Sequence, residues 1–131
     1  MSNLDKKIAR FAMANYPAAK KWPQGRMLAW LKWAEDNGFL AVIMDYHKPI
    51  GLLFAKPVSD IPRTNHSYEY DMDGDTLYIN FAIAKDKEMM RMLGAAALNN
   101  LGMRKNVAYR RNGKLRVHDM KKTLTALFRN V

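Results

Sequence analysis

The chain has 131 residues, no cysteine and a formal net charge of +10. That length suits one domain, residues 1–131, around one core, and the absence of cysteine excludes a disulfide framework, a thiolate zinc site and a cysteine nucleophile. An apolar share of 49% against 26% charged excludes wholesale disorder, and the basic surplus favours a polyanionic partner such as nucleic acid, an anionic surface or a phosphate-bearing cofactor.

Residues 4–16 read as a helix with Leu4, Ile8, Phe11 and Ala12 on one face. Tyr16-Pro17 ends it, because the residue before proline avoids the helical region. Residues 24–36 read as a second helix with the stripe Met27, Trp30, Leu31, Ala34, stopped at Asn37-Gly38. Trp22 and Trp33 flank that stripe as packing residues. Phe39 to Asp45 is apolar on both alternate sets, which suits a strand covered on both faces. Tyr46 to Pro49 turns it, and Ile50 to Lys56 returns as the second arm of a hairpin. Residues 57–74 are polar, hold two prolines and lack periodicity, so they read as a long loop. Asp71, Asp73 and Asp75 imitate a calcium loop, but no closing glutamate follows, so a plain turn is expected.

Asp75 to Ala84 is the clearest strand. Leu77, Ile79, Phe81 and Ile83 fall on one face, and Thr76, Tyr78, Asn80 and Ala82 on the other. A helix over 86–101 follows with the stripe Met90, Leu93, Ala97, Leu101. Its small residues Gly94, Ala95 and Ala96 suit close approach to a sheet. In 105–117, Asn112-Gly113 between alternating segments predicts a two-residue hairpin. Asp119 then caps a last helix with Met120, Leu124, Leu127 and Phe128 inward. The step from strand 75–84 through a helix to strand 105–111 suits a right-handed parallel crossover. The fold class expected is α+β: a mixed, largely antiparallel sheet flanked by helices. Most of the ten methionines fall in apolar stripes and fill core.

Charge is unevenly placed: net +5 over residues 1–26, −3 over 27–103 and +8 over 104–131. If the two ends meet, they form one positive face. No apolar stretch approaches the ~20 residues that cross a bilayer. The opening MSNLDKKIARF has no apolar core behind its lysines, so no signal peptide and no membrane partner is expected, and the default location is cytoplasmic.

This order of elements, over residues 24–128, resembles the acyl-CoA N-acyltransferase (GNAT) family. The resemblance implies an N-acetyltransferase that moves an acetyl group from acetyl-CoA to an amine. It also implies that backbone groups of Phe81, Ile83 and Ala84 meet the pantetheine arm, and that the following helix start binds the pyrophosphate. The family places a glycine-rich turn there. Here the sequence is Lys85-Asp86-Lys87-Glu88-Met89-Met90-Arg91-Met92-Leu93-Gly94, with no glycine before Gly94. Lys85, Lys87 and Arg91 are the cations available to compensate. The C-terminal part also resembles, more loosely, compact GNAT-like proteins encoded by bacteriophages.

Transfer to an amine requires a base, and Glu69, Asp71 and Glu88 are candidates, with Tyr78 and Tyr109 as acids. None sits in a motif, and the catalytic residues stay unassigned. His47, His66 and His118 lack metal-ligand spacing and read as loop or surface residues. No serine sits in a nucleophile elbow. The alternative reading is a basic, non-enzymatic protein that binds nucleic acid or serves a phage or mobile element as an interaction protein. It rests on Arg104, Lys105, Arg110, Arg111, Lys114 and Arg116, with Lys121 and Lys122, as phosphate contacts along a ribbon.

Overall fold

The computed structural model describes residues 3–129. Its elements are α1 (Asn3–Asn15), a short 3-10 turn (Pro17–Ala19), α2 (Gln24–Asp36), β1 (Leu40–Asp45), β2 (Lys48–Val58), β3 (Thr76–Ile83), α3 (Lys87–Leu101), β4 (Asn106–Arg111), β5 (Lys114–Asp119) and α4 (Met120–Leu127). The strands form one sheet in the order β1-β2-β3-β4-β5. β3 and β4 are parallel and every other neighbouring pair is antiparallel. This is the expected α+β class, with the crossover through α3 in place.

Local chemistry sets several boundaries. Gly38 takes φ +77 after α2, where a side chain would be strained. Asn112 and Gly113 both take positive φ, which the two-residue β4–β5 turn requires. Asp119 accepts a hydrogen bond from the Lys122 amide at 3.0 Å and caps α4 as expected. Asp71 Oδ1 accepts from the Asp73 amide at 2.9 Å, which forms the expected turn.

The core has a helical layer on each face of the sheet. On one face Trp30 and Trp33 of α2 meet Phe54. On the other, α3 comes so close that a Cβ on Gly51 would lie 2.7 Å from Met89 Sδ. Gly51 and Phe54 are an odd number of residues apart on β2, so they face opposite ways. α1 lies with the first layer. It buries Ile8, Ala9 and Ala12, packs Phe11 against the core and leaves Leu4 47% exposed, so the expected stripe holds except at Leu4, and Ala9 joins it. The alanines allow the close approach to α2. The buried stripe of α3 is Met89, Leu93, Ala97, Leu101, with Met89 in place of Met90. Ala95 and Ala96 therefore face solvent, and the close approach is of Gly94 to Leu127 in α4, 3.4 Å from an added Cβ. β1 is an edge strand and only Ala41 on it is fully buried, so it is not covered on both faces.

The main departure is in β3. Leu52, Leu53 and Phe54 pair with Ile83, Ala82 and Phe81, but Ala55 pairs with Ile79. Asn80 is thus the extra residue of a bulge. The bulge breaks strict alternation, and Phe81 leaves the face of Leu77 and Ile79. It stacks on Tyr16 at 4.6 Å and contacts Trp30 and Phe54. The basic ends do not make one face, because α1 packs on α2 and β2 whereas the C-terminal segment packs on β4 and β5. Among the described residues no helix is long and apolar enough to cross a membrane.

Candidate functional site

β3 and β4 pair from Thr76/Asn106 to Ile79/Tyr109 and no further. Beyond that point β3 stays with β2 through Ile83, and β4 stays with β5 through Arg111. The two halves of the sheet therefore part at the Asn80 bulge. Phe81, Ile83 and Ala84 lie on the parted length of β3 or just past it.

The loop of residues 59–75 packs over the first face of this parting. Tyr78 donates to Asn65 Oδ1 and accepts from Arg110 Nη1 at 2.8 Å. Asn80 Nδ2 donates to the Asn65 carbonyl at 2.6 Å. Asn80 Oδ1 has no partner among the described residues, although Asn80 is only 2% exposed. A buried acceptor without a donor costs about 1–3 kcal/mol, so this oxygen is a vacant acceptor at the base of the parting. Tyr16 and His66 extend the network, their Oη and Nε2 atoms being 3.1 Å apart.

Burial raises the pKa of both hydroxyls, with Arg110 partly opposing the rise at Tyr78. Both phenols stay protonated at neutral pH. Burial lowers the pKa of His66, and the nearby Arg26 lowers it further. Arg26 itself sits 3.7 Å over the Trp22 ring. His66 is therefore a neutral imidazole at neutral pH, a loop residue as expected but half-buried against Trp22 and Trp30.

Lys56 closes the network from below. It is 0% exposed, donates to Ser67 O at 2.6 Å and Ser67 Oγ at 3.1 Å, and lies over the Trp33 ring. Burial lowers its pKa to about 8, against a weaker opposing pull from Glu69. The unfolded chain holds this proton up to its ordinary value near 10.5. Between those two values the unfolded state binds more protons, so stability rises with pH across that window, by about 3 kcal/mol. Urea midpoints measured from pH 7.5 to 10 are expected to climb in the native protein and to stay flatter in Lys56→Met. Parallel curves for the two would refute this.

The other expected residues lie elsewhere. At the start of α3, Asp86 Oδ1 accepts from the Met89 amide at 2.8 Å. The helix caps itself, and Glu88 adds a second carboxylate to its first turn. Lys85 and Lys87 are exposed there. Arg91 points away and holds the carbonyls of Leu127 and Arg129 at 2.6 and 3.1 Å. Arg104 likewise binds the carbonyls of Met72, Gly74 and Leu101. With Arg110 on Tyr78, the expected basic ribbon is broken: Arg104 and Arg110 tie the fold together, Lys105 stands in the loop before β4, and Arg111, Lys114 and Arg116 alone share a face.

Of the acid–base candidates, Tyr78 is in the network. Tyr109 faces the opposite side and contacts His118 at 3.2 Å. Asp71 is engaged in its turn, and Glu69 and Glu88 are exposed. Among the described residues no group of His, Asp or Glu is placed to hold a metal ion. Sequence reading missed Tyr16, Lys56, Asn65 and Asn80. A lysine inside the apolar run IGLLFAKPV and an asparagine inside DTLYINFAIA were the available signals, since both types are depleted in strand interiors.

No protein-family profile and no curated protein matches the chain. Among solved structures it is similar to "GphF GNAT-like decarboxylase in complex with isobutyryl-CoA", with a TM-score of 0.55 and 16% identity over 82% of this chain. The match spans 62% of that protein's length, so this chain corresponds to under two thirds of it. At this identity the likeness is one of architecture: the chain has a GNAT-like fold, a mixed sheet whose parallel β3–β4 pair parts beyond Ile79/Tyr109.

Proposed function

We propose that this chain binds an acyl-CoA thioester at the parting of β3 and β4 and passes its acyl group, acetyl in the simplest case, to an amine. The observation that carries this reading is the parting itself, with the unpartnered Asn80 oxygen at its base. A pantetheine arm carries amide N–H groups, which suit a vacant buried acceptor. The freed edge of β3 at Phe81, Ile83 and Ala84 offers further backbone groups. The fold neighbour is itself in complex with isobutyryl-CoA. It is a decarboxylase, so the acyl-CoA ligand, and not the reaction, is what supports the reading.

Bound there, the thioester would supply an acyl group activated toward a nitrogen nucleophile. The chain's own residues divide the remaining work. Tyr78 keeps its proton but gives it to Asn65 Oδ1 and accepts from Arg110 on its oxygen, so it fixes the loop that carries His66 and leaves the Arg110 guanidinium as the charge that favours developing negative charge nearby. His66 keeps its imidazole neutral, which suits it to take the proton of an incoming ammonium group. The loop and the indoles of Trp22 and Trp30 limit water around it.

The direct test is thermal shift with acetyl-CoA and isobutyryl-CoA at millimolar concentration. A ligand at a hundred times its Kd adds about 2.7 kcal/mol, a rise of several degrees. Thiol release on adding a polyamine or a lysine peptide then reads the transfer. His66→Ala is expected to keep the thermal shift and to lose roughly 100-fold in rate. If neither thioester moves the melting temperature, the proposal fails.

A further inference from the structure

The start of α3 is a poor place for a CoA diphosphate. Its Met89 amide is taken by Asp86, Glu88 stands beside it, and no glycine in that turn lets backbone approach. The β4–β5 hairpin offers the opposite environment. Tyr109, Arg111, Asn112, Lys114, Arg116 and His118 line a groove of about 480 Å³. Pairing of Arg111 with Lys114 and of Tyr109 with Arg116 puts these side chains on one face of the ribbon. It is the face of Ile79 and of buried Val107, the side on which α3 lies. Among the described residues Arg111, Lys114 and Arg116 make no ion pair and no side-chain hydrogen bond; the ion pair found joins Lys32 to Asp36. No carboxylate lines the groove.

We infer that this groove, and not the helix start, seats the phosphates of the CoA nucleotide, with Arg111, Lys114 and Arg116 as their partners. The inference rests on the thioester reading above. Three cations without counter-ions repel one another, and phosphate oxygens relieve that repulsion through charge-assisted bonds. Reach is adequate. Tyr109 is the last β4 residue paired to β3 and also lines the groove. Arg111 lies about 7 Å farther along β4, and β5 about 5 Å to its side. A pantetheine arm is as long as about four residues of extended chain, roughly 13 Å. Asn80 is tied to the loop on the first face and the groove lies on the other, so the arm passes through the parting between β3 and β4, and anchored at Asn80 it brings its phosphates to the hairpin.

The test is calorimetric and needs no turnover. The ligands are acetyl-CoA, adenosine 3′,5′-bisphosphate and S-acetylpantetheine, which lacks the phosphates. Arg111→Glu, Lys114→Glu and Arg116→Glu are each expected to weaken acetyl-CoA and the bisphosphate about tenfold or more. They leave S-acetylpantetheine unchanged. Lys7→Glu and Arg10→Glu, in the separate basic groove with His47 and Lys48, are expected to change little, which separates contact from overall charge. Unchanged acetyl-CoA affinity in all three hairpin variants overturns the inference and leaves the thioester reading standing. S-acetylpantetheine failing to bind the native protein overturns that reading, and this inference with it. A short duplex oligonucleotide that the hairpin variants release, and that acetyl-CoA fails to displace, assigns the groove to nucleic acid and overturns the inference too.

Discussion

Trp30→Ala is expected to destabilise the protein by about 3–5 kcal/mol, the range for deleting a buried indole. Trp30 is 1% exposed. Its ring lies 4.6 Å from Phe54, 5.5 Å from Trp22, 5.7 Å from His66 and 5.9 Å from Phe81. These rings join α2, β2, β3 and the long loop, so a cavity here cannot close by moving one element. The indole N–H has no partner among the described residues. Trp30→Phe therefore removes an unsatisfied donor along with one ring, and is expected to cost only about 1–2 kcal/mol. Urea denaturation at pH 7 measures both. Equal losses in the two variants would mean that the cavity is not the cause.

Gly74→Ala is expected to cost about 3 kcal/mol or more. A Cβ on Gly74 would run into the Val58 carbonyl and the Ser59 amide. These are backbone atoms at the root of the long loop and cannot rotate aside, so the loop must shift, at the upper end of overpacking penalties. The shift would disturb the bonds from Arg104 to the Met72 and Gly74 carbonyls and the bond from the Asp71 amide to Pro57 O. These hold the segment that delivers Asn65, His66 and Ser67. Thioester binding is therefore expected to fall even in the folded fraction. Gly94→Ala is the control. Its Cβ meets only Leu127 at 3.4 Å, and alanine in a helix interior gains about 0.5–1 kcal/mol. A mild Gly74→Ala would show that the loop root yields, and that the site does not depend on it.

Every α-helix and strand was legible in the chain to within a few residues, and the 3-10 turn at Pro17–Ala19 was not. Asn112-Gly113, Asp119, Asn37-Gly38 and the period-two run of β3 each carry a local signal that needs no distant partner. The candidate site was legible only in part. The strand length Phe81–Ala84 follows from the family resemblance, and the hairpin cations Arg111, Lys114 and Arg116 stand out by charge, though as nucleic-acid contacts. The bonds of the network of Tyr16, Asn65, His66 and Tyr78 join residues 13 and 50 positions apart, and no periodicity links a loop to a helix end.

What the sequence by itself determined is the set of elements, their α+β order and the positive charge of the C-terminal segment, because propensity, turn chemistry and charge act over a few residues. What only the tertiary structure decided is how those residues are used. The bulge at Asn80 turns Phe81 to the other face, the Asp86 cap closes the helix start, and Arg91, Arg104 and Arg110 are drawn into carbonyl and hydroxyl contacts. Burial then lowers the proton affinity of Lys56 and His66, because desolvation depends on what folds over a group and not on its neighbours in the chain.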